Sequence, residues 1–107
     1  MEKISIPGVK HILILPADSI TRVEARGNYC KIFLTDGKEL FYAKLLCWFE
    51  QRLPQNKFVR VNRGQLINKN FVSEIWGRDC RQIKMENGDC IMVSRRRKSR
   101  TRKAMAA

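Results

Sequence analysis

Along most of this chain apolar and polar residues alternate with a period of two, and only once does the period lengthen to that of a helix. Residues 4–6 and 11–15 are short β-prone runs separated by the turn dipeptide Pro7-Gly8. Pro16-Ala17-Asp18-Ser19 interrupts again. Ile20, Arg22 and Glu24 then alternate with Thr21, Val23 and Ala25 up to Arg26-Gly27-Asn28, and residues 29–35 continue the pattern. Asp36-Gly37 predicts a type I′ hairpin that folds residues 38–42 back on them. From 43 to 53 Leu45, Leu46, Phe49 and Leu53 recur at three- and four-residue spacing, predicting an amphipathic helix closed by Pro54, with Trp48 in the core beside Phe49. Residues 58–68 form an apolar extended run broken by Asn62-Arg63-Gly64-Gln65. Residues 70–76, 82–85 and 90–93 complete the strands, with Asn87-Gly88 as a second type I′ signal. Ser94 occupies an N-cap position, so Arg95 onward can open a terminal helix. The pattern is mainly β: about nine short strands, one amphipathic helix and a candidate C-terminal helix.

Composition narrows the partner more than the fold. A chain of 107 residues with 44% hydrophobic content can bury one core, so residues 1–97 are read as a single domain and 98–107 as a basic tail, helical or disordered. The formal net charge of +12 calls for a polyanion. Seven of the 22 Lys and Arg residues follow Ser94 with no acid among them. Beyond Val93 only Ala104, Met105, Ala106 and Ala107 are apolar, which disfavours a membrane surface, and no run of 18 apolar residues could span a bilayer. Cys30, Cys47, Cys80 and Cys90 lack Cys-x-x-Cys spacing, and the single His11 is remote from them. They are read as free thiols, with a Cys80–Cys90 cross-strand contact and a metal site as lesser readings. Without a signal peptide this places the chain in the cytoplasm. No metal or cofactor is expected. A single His and no glycine-rich phosphate loop leave no catalytic constellation to name, so an enzyme is not expected.

Several motifs, taken in order, resemble a known family. They are Ile20-Thr21-Arg22-Val23-Glu24 leading to Asn28-Tyr29, the Asp36-Gly37 hairpin, the helix ending at Leu53, residues 58–68, Asn87-Gly88 and Val93-Ser94-Arg95-Arg96. Together they resemble the LytTR DNA-binding domain of LytR/AgrA-type bacterial response regulators, over about residues 12–97. The resemblance implies an elongated β-sheet domain that reads successive DNA major grooves with loops in transcriptional regulation, as in two-component systems. Carried over, the base-contacting residues are Asn28, Tyr29, Arg63 and Arg95. Three positions depart from the family: Asn62 and Gly64 replace its usual His and Ser, and Met92 stands where Pro is common.

The chemistry of these side chains agrees with that implication. Arg63 and Arg95 can each donate two hydrogen bonds to a guanine edge, Asn28 can pair an adenine edge, and Tyr29 offers a hydroxyl or a face for a thymine methyl. Arg26, Lys69, Arg96 and Arg97 are assigned to phosphates. Structural alternatives stand beside these: a salt bridge from Arg63 to Glu24 or Glu74, and a positive-φ turn role for Asn28. Asn68 is assigned to a turn. The leading function is therefore sequence-specific binding of double-stranded DNA, two copies engaging a repeated site as a homodimer on DNA. The alternatives are an RNA or single-strand binder stacking bases on Tyr29 and Trp76, and a protein-binding antagonist whose partner is another LytTR regulator.

Overall fold

A computed structural model of the protein describes residues 2–106. The chain opens with an antiparallel hairpin of β1 (Lys3–Pro7) and β2 (Ile12–Pro16), in which Ile6 lies opposite Leu13. A 3₁₀ turn at Ala17–Ser19 leads into β3 (Ile20–Arg26), β4 (Tyr29–Leu34) and β5 (Glu39–Tyr42). Helix α1 (Leu46–Arg52) follows, then β6 (Phe58–Asn62) and β7 (Gln65–Asn68). These strands form a five-stranded antiparallel sheet in the order β5-β4-β3-β7-β6. A second 3₁₀ turn at Lys69–Phe71 begins a three-stranded meander of β8 (Val72–Trp76), β9 (Gln82–Met85) and β10 (Cys90–Met92). Helix α2 (Lys98–Ala106) ends the described chain. No helix among the described residues is long and apolar enough to cross a membrane.

The broken apolar run at residues 58–68 has a simple packing cause: β6 and β7 are buried on both faces. Phe58 and Leu66 enter one core with Ile4, Ile6, Ile20, Val23, Ile32, Leu46 and Phe49, which seals the first hairpin and α1 against the larger sheet. Val59, Val61 and Ile67 point the other way, into a second core with Ile83, Met85, Ile91 and Val93, against which Ala104 and Met105 of α2 pack. A strand covered on both faces reads as near-continuous hydrophobic sequence rather than as strict alternation. Two small cores sharing one pair of strands give an elongated body of 46 × 28 × 23 Å.

Several local expectations change. Ten strands are present rather than about nine. The helix begins at Leu46, one turn later than the apolar spacing predicts, because Leu45 is extended and provides no side-chain cap. Trp48 is only half-buried at the edge of the first core, its ring edge-on to Phe49 and beneath the Arg52 guanidinium. Neither Asp36-Gly37 nor Asn87-Gly88 forms a type I′ turn. Each closes a three-residue loop in which the glycine alone has positive φ, 89° at Gly37 and 96° at Gly88. Leu34 bonds across to Lys38, and Met85 to Asp89, in the pattern of a type I turn followed by a left-handed glycine. The Asp36 carboxylate and the Asn87 amide oxygen accept backbone N–H groups two residues on, and neither Asp36 nor Asn87 takes the positive φ that a type I′ turn would require of it. Asn68 is fully buried; besides its turn bond to the Asn70 N–H it donates to the Ile20 carbonyl, fastening β7 to the start of β3. All four cysteines are free. Burial pushes the Cys30 thiol up to about 11.

Candidate nucleic-acid interface

The turn between β6 and β7 is two residues long. Asn62 lies opposite Gln65, leaving Arg63-Gly64 at the tip. This tip is held from beneath by side chains. The Asn62 amide oxygen accepts the Gly64 N–H at 2.8 Å, while its Nδ2 donates to the Met92 carbonyl at 2.6 Å, across to the end of β10. Arg60, part-buried in β6, donates Nε to the Asn62 carbonyl at 3.3 Å and Nη2 to the Arg63 carbonyl, and its Nη1 meets Glu50 of α1 at 3.1 Å. The Arg63 side chain itself is exposed. Its expected alternative partners are engaged elsewhere: Glu24 pairs with Arg22 and Arg26, and Glu74 with Lys84.

The other two sequence-predicted elements reach this turn by backbone pairing. The Ala25 N–H donates to the Gly64 carbonyl, so the β3–β4 turn projects from the same end of the sheet as Arg63. In that turn Gly27 takes the positive φ of 61°, which relieves Asn28 of the strained conformation and leaves it exposed. Tyr29 begins β4, 41% exposed and edge-on to Phe41 at 5.6 Å. On the far side of β6, the Ser94 N–H donates to the Val61 carbonyl at 2.9 Å, which brings the end of β10 alongside the Arg63 turn. Ser94 has the extended backbone of an N-cap, but its hydroxyl makes no capping bond. The next residues, Arg95–Arg97, form a 3₁₀ turn before α2.

The result is a concentration of guanidinium groups. Arg60, Arg63, Ser94, Arg96, Arg97 and Arg100 line a groove of about 330 Å³. Arg95 is exposed on the same 3₁₀ turn. Among the described residues no carboxylate is paired with Arg63, Arg95, Arg96, Arg97 or Arg100. Like charges held this close without counter-ions in the protein repel one another, and a bound polyanion would relieve that repulsion.

Two of the expected phosphate residues differ from the group, one by its ion pair and one by its position. Arg26 is exposed, but its Nε is held by Glu24 at 2.7 Å. Lys69 lies at the opposite end of the β6–β7 hairpin, beside the Phe58–Asn68 pair, and its Nζ reaches the Ala104 carbonyl near the end of α2 at 3.4 Å. Three residues that organise the site were not singled out for that role in the sequence. Arg60 is a basic residue set within an apolar strand stretch, a signal that it has partners inside the fold, whereas Arg22 lies in the alternating Ile20–Arg26 strand. Asn62 carries no such signal, since its partner Met92 lies thirty residues away. No group of three or more metal-ligating side chains is present among the described residues.

Comparison with known proteins agrees with this architecture. A solved LytTr DNA-binding domain of a response regulator from Bacillus cereus superimposes with a TM-score of 0.80, covering 100% of this chain and 99% of that one at 20% sequence identity. The sensory transduction protein LytR of Staphylococcus haemolyticus (strain JCSC1435) is 27% identical over 88 residues, 80% of this chain. The match takes in 34% of that relative, so this chain spans about a third of its length. The sequence profile of the LytTr DNA-binding domain matches residues 10–106. With nearly the whole sequence matched and the ten-stranded fold in agreement, the chain belongs to the LytTR DNA-binding domain family.

Proposed function

We propose that this domain binds double-stranded DNA sequence-specifically in the regulation of transcription, with three turns presented to the duplex. Family membership supports the DNA partner. The observation that carries the finer reading is the placement of unpaired Arg63 beside the Arg95–Arg97 turn, through the Ser94-to-Val61 backbone bond. In this reading Arg63 and Arg95 hydrogen-bond guanine edges, and Asn28 and Tyr29 read bases from the β3–β4 turn. Arg96 and Arg97 fix register on phosphates, with Arg26 and Lys69 as outlying phosphate contacts. Successive major-groove faces repeat every 34–36 Å or so, and two copies on a repeated site would extend the contact along one side of the duplex.

A single-strand or RNA reading would use Tyr29 and Trp76 as a stacking platform. Both are exposed, but they lie on different sheets, which does not favour a continuous platform.

The test is selection of bound duplexes from a random pool at fixed salt, repeated with Arg63→Ala and Arg95→Ala. Each substitution is expected to relax the motif at one position and cost about 1–3 kcal/mol. Retention of the whole motif with a uniform loss of affinity would reassign both arginines to phosphates.

A further inference from the structure

We propose that Asn62 is a positioning residue that locks the Arg63 turn and the Arg95 turn into one rigid reading unit. The inference rests on the DNA-binding reading above and adds to it how two of the three turns are kept in register. One amide side chain spans the gap between them. Its oxygen can only accept, and the Gly64 N–H donates to it at 2.8 Å; its nitrogen can only donate, and the Met92 carbonyl receives it at 2.6 Å. The first bond shapes the tip that carries Arg63. The second grips the strand end two residues before Ser94, whose own N–H is bonded to Val61 of the same hairpin. Arg60 supports the arrangement from below through the Asn62 and Arg63 carbonyls and is itself steadied by Glu50.

This geometry gives Asn62 a task other than base reading. Its amide is oriented by one bond at each end inside the protein, so turning it to present both groups to an adenine edge would give up the Gly64 and Met92 bonds. Discrimination by a bidentate arginine depends on holding the guanidinium to within a fraction of an ångström, and long side chains on two separate loops can meet their bases in one fixed register only if the loops do not drift. Asn62 supplies that restraint at the cost of a single side chain.

The experiment compares wild type, Asn62→Ala and Asn62→Asp in two ways. In the DNA-free chain, backbone ¹⁵N order parameters report picosecond-to-nanosecond motion in each segment. Asn62→Ala should lower them at residues 62–65 and 93–97 together. Asn62→Asp keeps the acceptor for Gly64 and loses the donor to Met92, so it should loosen residues 93–97 alone. With a selected duplex, Asn62→Ala should weaken binding about tenfold in the wild-type background and only about twofold beside Arg95→Ala, because residues that act through a shared support are not additive. An equal loss in both backgrounds, with a changed preference at one base position, would make Asn62 a base reader and overturn the proposal. Unchanged order at 93–97 in both variants would also overturn it. If the wild-type chain shows no sequence preference, the reading of Arg63 and Arg95 fails, while the order parameters still decide whether Asn62 couples the two turns.

Discussion

The Arg22 guanidinium donates through Nη2 to the Asp89 carboxylate at 2.9 Å, closing a span of 67 positions and bridging the five-stranded sheet to the turn between β9 and β10. Its Nη1 meets Gln65 at 2.9 Å and Glu24 at 3.1 Å, and the plane lies 3.6 Å from the centroid of the Phe33 ring. Arg22 is 7% exposed, a charge taken from water and held by three side-chain acceptors and the face of the Phe33 ring. Arg22→Ala should therefore destabilise the domain by about 2–3 kcal/mol, through the lost ring contact and three acceptors left short of a donor. Asp89→Ala should cost nearer 1 kcal/mol, since that carboxylate is 42% exposed and partly screened. Urea unfolding of the two variants measures both.

The same network sets a dependence on pH. Burial works to raise the Glu24 carboxyl, but hydrogen bonds from Arg26, Arg22 and Gln65 outweigh it and hold the group below its ordinary value of 4.5. The Arg22 and Asn87 hydrogen bonds likewise hold Asp89 below 3.8. A carboxylate depressed in the folded state contributes stability that is fully present above its unfolded value and is lost as pH falls through the folded one. Stability should hold from neutrality down to about pH 5 and then decline, with a shallower acid slope in Arg22→Ala. A series of urea midpoints between pH 7 and pH 3 tests the sign and the window.

The hydroxyl of Thr101 in α2 is fully buried and has no hydrogen-bond partner among the described residues. An unsatisfied buried hydroxyl is a cost that an isosteric methyl group removes. Thr101→Val should raise stability by about 1 kcal/mol while duplex affinity stays as it is, because Thr101 is buried one turn before Ala104 and Met105, which pack on the second core, and does not line the arginine groove. Thermal unfolding and a binding titration on the same sample check the two halves.

Gly64 does not need to be glycine. Its φ is not positive, and a Cβ there would meet only the Asn62 amide oxygen, at an ordinary 3.9 Å. Gly64→Ser restores a residue usual in the family and narrows the unfolded ensemble. The expected gain is about 0.4–1 kcal/mol with the Arg63 turn intact. A loss of stability instead would mean that the side chain disturbs the Asn62-to-Gly64 bond, and a duplex selection on the variant would show whether the motif moves with it.

Much of this domain was legible one residue at a time. The period-two stretches located the strands, the single lengthened period located α1 to within a turn, and the charge imbalance pointed to a polyanion. Local signals were less secure where two local solutions compete. Asp36-Gly37 and Asn87-Gly88 marked hairpins correctly, yet the side-chain bonds to Lys38 and Asp89 favour a three-residue loop over type I′. At the candidate interface, Arg63 and Arg95 were named from the family resemblance, and their bidentate chemistry agreed with it. That they stand on neighbouring turns follows from Ser94 bonding to Val61, a pairing between segments about thirty residues apart that leaves no mark in either one.

The sequence by itself determined the alternation that makes a mainly β chain, the places where turns can form, the positive charge and the arginines able to read a base edge. These depend on side-chain type and on neighbours a few residues away. Only the tertiary structure decided that β6 and β7 are shared by two cores, that Arg60, Arg63, Arg96, Arg97 and Arg100 meet in one groove, and that Lys69 lies at the far end from it. Those outcomes depend on which strands pair and which carbonyls remain to accept a buried donor, and such choices are made between residues distant in the chain.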